Sequence, residues 1–139
     1  MKTVSARTHR RIGASDVILV DSITQTEAGD AGRIVISGSH GGTSAAFFAT
    51  HVPAMLYAFN DAGVGKGRAG VAGLDLLERH GIAAVAVSHM SAAIGDAADT
   101  LDQGIISAIN GPAAALGART GEALQALVER LARRPSSRA

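Results

Sequence analysis

Four short apolar runs, Val17 to Val20, Ile34 to Ile36, Met55 to Phe59 and Ala83 to Val87, do not alternate with polar residues, which is the pattern of strands buried on both faces. Between the later runs the period becomes helical. Thr43 to His51 predicts a short helix with Thr43 or Ser44 as its N-cap. Ala69 to His80 predicts a second, with Val71, Leu74 and Leu77 on its apolar side and Gly81 as a left-handed cap. A third begins near Asp96, its expected N-cap, and carries Ala98, Leu101, Ile105 and Ile109 on one stripe until Asn110-Gly111-Pro112 breaks it. The last runs from Glu122 to Arg133, ahead of Pro135.

Strands alternating with helices predict an α/β fold, a three-layer Rossmann-like or flavodoxin-like domain with a mainly parallel sheet of about four strands. The expected division is a basic N-terminal arm over 1–14, a single α/β domain over 15–134 and a C-terminal tail over 135–139. The link from Asp21 to Arg33 is short enough to fit either a parallel crossover or an antiparallel connection. That choice decides whether Asp21 shares a sheet edge with His40.

Composition narrows the functional classes. A chain of 139 residues suits one domain, and the absence of cysteine removes disulfides, thiolate nucleophiles and cysteine-ligated metals. The formal net charge of +1 conceals a segregation: Lys2, Arg7, Arg10 and Arg11 lie at one end and Arg130, Arg133, Arg134 and Arg138 at the other. The segment from Ile12 to Glu129 holds all twelve acids against Arg33, Lys66, Arg68, Arg79 and Arg119, a formal charge of −7. An acidic body with one Tyr, three Phe and no Trp offers neither a basic groove nor stacking rings, so no nucleic-acid partner is expected. No apolar run reaches a membrane span and no secretory h-region is visible, so the expectation is a cytoplasmic chain with no membrane partner. The many small residues in the helices bury little area each, which predicts homo-oligomerisation to complete the core.

The chemistry gathers where strands end, the usual ligand edge of a parallel sheet. The first loop, Ser37-Gly38-Ser39-His40-Gly41-Gly42, suits a turn whose amides face an oxyanion beside an imidazole, and it equally suits a plain strand-to-helix turn. The second, Asn60-Asp61-Ala62-Gly63-Val64-Gly65-Lys66-Gly67-Arg68, contains a G-x-G-x-x-G match from Gly65 to Gly70 that begins too far past its strand for a dinucleotide fingerprint. Lys66 and Arg68, the close basic pair of the acidic body, suit an anion clamp or the local neutralisation of Asp61 or Glu78. Asp61 itself suits either catalysis or an Asx-turn. The third loop, Ser88-His89-Met90-Ser91, brings His89 to the edge of His40, whereas His9, His51 and His80 read as peripheral.

These residues predict a small-molecule enzyme, a hydrolase or lyase acting on a compact anionic or amide-containing substrate. His40, His89, Ser39, Asp61 and Ser88 are its catalytic candidates, and Gly38, Gly41, Gly42, Asn60, Lys66 and Arg68 its substrate-binding candidates. One mechanism uses a histidine as general base for water or for Ser39 or Ser88, with Ser39 paired to His89 across the loops and the glycine amides holding the oxyanion. The other places a divalent metal on His40, Asp61 and His89. The competing class is a non-catalytic domain that binds a phosphate or nucleotide ligand, or a subunit of a larger assembly.

Overall fold

The computed structural model describes residues 6–133; Lys2, Arg134, Arg138 and the expected tail over 135–139 lie outside the described residues. The elements in order are β1 (Arg7–Ile12), β2 (Ser15–Val20), two 3-10 turns, β3 (Ile34–His40), α1 (Thr43–Ala49), β4 (Leu56–Asn60), a 3-10 turn over Lys66–Arg68, α2 (Ala72–Arg79), β5 (Ala84–Val87), α3 (Ala97–Gln103), β6 (Ile106–Ile109), α4 (Gly111–Ala115) and α5 (Leu124–Arg133). The strands form one six-stranded sheet in the order β1-β2-β3-β4-β5-β6. The central four are parallel, and β1 and β6 add antiparallel edges.

The α/β class is therefore observed, with a mixed sheet of six strands where about four were expected. Its sequential order also differs from the Rossmann 3-2-1-4-5-6 and flavodoxin 2-1-3-4-5 orders. Two elements make the difference. Arg7–Ile12, read from sequence as part of a basic arm, pairs with β2 through the short hairpin at Gly13-Ala14, where Gly13 takes φ 60°. Its charged side chains find acids: Arg7 grips Asp30 with two hydrogen bonds of 2.8 and 2.9 Å, and Asp30 is only 2% exposed. Arg10 donates to Asp102 of α3.

The second element is β6. The expected third helix stops at Gln103, because Gly104 turns extended (φ −63°, ψ 135°) and Ile106–Ile109 pairs with the free edge of β5. The stripe Ala98, Leu101, Ile105, Ile109 has helical spacing, yet the β-branched residues beyond Gly104 gain a ladder instead. Asn110 caps the following helix rather than breaking one: its side chain accepts the Ala113 N–H, and Pro112 sits in the first turn.

The central strands alternate between two cores. Val17, Leu19, Ile36, Ala58 and Val85 pack with Leu101 of α3 and Leu124, Leu127, Val128 and Leu131 of α5. Ile18, Val20, Val35, Tyr57, Phe59 and Ala86 pack with Ala46 and Ala49 of α1 and Leu74 and Leu77 of α2. Helices thus cover both faces, which is why the strands read as continuous apolar runs. No helix among the described residues is long and apolar enough to cross a membrane.

Candidate functional site

Because β2 to β5 run parallel, Asp21, His40, Asn60-Asp61 and Ser88-His89 all emerge at one edge. The β2–β3 connection is thereby resolved as parallel, and Asp21 lies at the edge of His40. Asp21 acts there as a staple, accepting N–H groups from Ala6 at 2.8 Å and Ala97 at 2.9 Å.

The chain leaves β3 and β4 toward the face of α1 and α2, and leaves β5 toward the face of α3. The connections diverge between β4 and β5, the kind of switch point at which α/β sheets hold ligands. Asp61 sits in that divergence, 4% exposed. Its Oδ1 accepts the N–H groups of Gly63 (2.8 Å) and His89 (2.9 Å), and its Oδ2 accepts the Ser107 hydroxyl (2.7 Å). His89 Nδ1 stands 3.4 Å from the same Oδ1, while its side chain stays 50% exposed. Gly63 lies against the imidazole, since a Cβ there would be 3.4 Å from His89 Cε1.

Burial works to raise the pKa of Asp61, but the Ser107 hydroxyl and the N–H groups of Gly63 and His89 outweigh it and hold the carboxyl below its ordinary 3.8. Asp30, through its Arg7 hydrogen bonds, is lowered as well. A carboxyl whose pKa falls on folding contributes stability that is complete above its unfolded value and is lost as pH falls through the folded one. The melting temperature should be level above about pH 5 and fall below about pH 4. Asp61→Asn should lower the plateau and flatten part of that fall. A thermal-melt series that stays level to about pH 2 would contradict the pairing described here.

The other expected site residues divide by what they touch. Asn60, fully buried, donates to the Ala92 carbonyl at 3.0 Å and accepts the Ala62 N–H at 2.8 Å, so it ties the second loop to the third. His40 ends β3, exposed, with its ring over Gly42. β4 separates it from β5, so the two histidine-bearing strands are about 10 Å apart. Among the described residues no three His, Asp or Glu side chains converge on a metal position, and the ligand set His40, Asp61 and His89 is not formed.

The serine hydroxyls accept backbone N–H groups, Ser39 from another segment and Ser88 within its own turn. Ser39 Oγ accepts the Ile23 N–H at 3.0 Å and Ser88 Oγ accepts the Met90 N–H at 3.1 Å, so the expected pairing of Ser39 with His89 is absent. Two glycines of the first loop are needed for close packing. A Cβ on Gly38 would meet Asp96 N and Gly95 C at 2.6 Å, and one on Gly41 would meet the Gly70 carbonyl at 3.0 Å. The Gly41 N–H is already spent on the Asn60 carbonyl.

Lys66 and Arg68 are exposed, and among the described residues their side chains make no hydrogen bond or ion pair. Neutralisation of Asp61 or Glu78 is not their role, since Asp61 has the partners above and Glu78 accepts the Gly111 N–H. Their loop is strained: Ala62 (φ 51°), Val64 (φ 66°) and Arg68 (φ 60°) all occupy the left-handed region, costing about 1 kcal/mol or more each. Ser107 is the residue beside Asp61 that sequence reasoning missed, because 105–109 carried a helical stripe. The signal available was the cluster of Ile105 and Ile106 directly after Gly104. No protein family, curated protein or solved structure matches the chain.

Proposed function

We propose that the chain is a small-molecule enzyme, a hydrolase or lyase, in which His89 moves a proton and Asp61 positions it. The observation that carries this reading is the buried Asp61 carboxylate 3.4 Å from Nδ1 of a half-exposed imidazole. A carboxylate on that side favours the tautomer with its proton on Nδ1, leaving the Nε2 lone pair as the base. The 3.4 Å separation is longer than a charge-assisted hydrogen bond, as is common before substrate closes a site. Hydrolysis and elimination share a first need, a base that takes a proton from water or from carbon. Lys66 and Arg68, uncommitted and on a strained loop joined to Asp61 through Gly63, suit the anionic part of the substrate.

Turnover of a panel of carboxylate- and phosphate-bearing esters, amides and β-hydroxy acids provides the test. His89→Gln should lower kcat/KM by about 10²–10⁴ with little change in melting temperature. Wild-type kcat/KM in that variant would remove His89 from the chemistry.

The uncommitted basic pair also supports a second reading, a domain that binds a phosphate-bearing ligand without turnover. A melting temperature raised by inorganic phosphate or a nucleotide, lost in Lys66→Ala and accompanied by no turnover across the panel, would favour it.

A further inference from the structure

The opposite edge of the sheet holds a second feature. A cavity of about 220 Å³ opens at the amino ends of β2 and β3, lined by Arg11, Ser15, Asp16, Arg33, Ile34 and Met55 among others. Pockets for drug-sized molecules run from about 300 Å³ upward, so this one suits a smaller occupant. Its lining is mainly polar, with Ile34, only 3% exposed, and half-buried Met55 adding apolar contact.

Its rim carries two guanidinium groups against one carboxylate. Asp16 is committed: its Oδ2 lies 2.9 Å from His9 Nδ1 and 3.9 Å from Arg33. Arg33 is anchored through Nε, which donates to the Gly29 carbonyl at 3.3 Å, and its Nη1 lies 3.9 Å from Asp16. Arg11 is the informative residue. It stands opposite Asp16 in the β1–β2 register and its charge favours the Asp16 carboxylate, but among the described residues its side chain makes no hydrogen bond and no ion pair within 4.0 Å. Two guanidinium groups against the single carboxylate of Asp16 leave the cavity a net positive mouth. Guanidinium forks match the two-oxygen geometry of carboxylates and phosphates, and Ile34 and Met55 offer contact to a short aliphatic body.

We propose that this cavity is a binding site for a compact oxyanion, a carboxylate or phosphate carried on a short aliphatic chain, distinct from the site around Asp61 and His89 and independent of the reaction there. The test is a backbone amide NMR titration of the full chain with butyrate, butyl phosphate and inorganic phosphate. Saturable shifts confined to residues 11–16 and 32–34 are expected, with a Kd on the order of 1 mM or tighter for at least one of the butyl probes. Arg11→Gln and Arg33→Gln should each weaken it by about tenfold or more. Arg10→Gln should leave it unchanged, because that guanidinium is held by Asp102. Butyrate and butyl phosphate separate the two anion types, and inorganic phosphate reports what the aliphatic body adds. Shifts that stay linear to about 10 mM for all three probes, or saturable shifts indifferent to both arginine substitutions, would overturn the proposal.

Discussion

Asn110→Asp should leave the domain largely unfolded or destabilised by about 3–5 kcal/mol at neutral pH. Asn110 is 5% exposed and satisfies four backbone groups at once. Its Nδ2 donates to the carbonyls of Leu74 (3.1 Å) and Ile82 (2.9 Å), and its Oδ1 accepts the N–H groups of Ala84 and Ala113 (both 3.0 Å). One side chain therefore joins α2, the entry to β5 and the start of α4. Aspartate keeps the acceptor side but sets a charged oxygen against two buried carbonyls. The sign with pH is opposite to that of the native carboxyls. A buried aspartate of this kind has a folded pKa above its unfolded value, so the deficit relative to wild type is full at neutral pH and narrows as pH falls through the folded value. Paired urea melts of wild type and variant at each pH measure it. A difference under about 1 kcal/mol at neutral pH would mean that the network is not holding these elements together.

Gly38→Ala ranks second, with an expected loss of about 3 kcal/mol or more. Its Cβ would lie 2.6 Å from Asp96 N and Gly95 C and 2.7 Å from Asp21 O, all backbone atoms of two other segments. None is the end of a flexible side chain, and the Gly38 carbonyl is itself tied to the Gly95 N–H at 2.7 Å, so relief requires the loop that carries His89 toward α3 to move. Gly29→Ala is the control: nothing lies within 4 Å of its Cβ position, and its φ is not left-handed. Urea melts should separate the two variants clearly. Equal stabilities would return the Gly38 loop to its sequence reading as a ligand cradle with open space over it.

The sequence by itself determined the class of fold and the edge where polar chemistry collects. Runs such as Val17 to Val20 and Ala83 to Val87 are apolar at every position because both faces of their strands meet helices, and a buried strand can shed polarity only at its end. His40, Asp61 and His89 were legible at that edge for this reason. Asp96 as a cap and Gly81 as a left-handed stop were legible too, because each answers a local backbone need.

Only the tertiary structure decided the rest. Arg7–Ile12 has no apolar alternation to announce a strand, and it became one because β2 offered a free edge and Asp30 and Asp102 offered partners. Ile106–Ile109 carried a helical stripe, which lost to the ladder of β5 and thereby delivered Ser107 to Asp61. The three loops shared an edge in sequence, but the direction of each side chain depended on contacts from distant segments. Ile23 claimed Ser39, Met90 claimed Ser88, and Gly38 and Gly41 were claimed by packing, leaving His89 and Asp61 as the pair that touches. Local pattern sets where a polar residue emerges; which partner it meets depends on segments far away in the chain, and no local period encodes that.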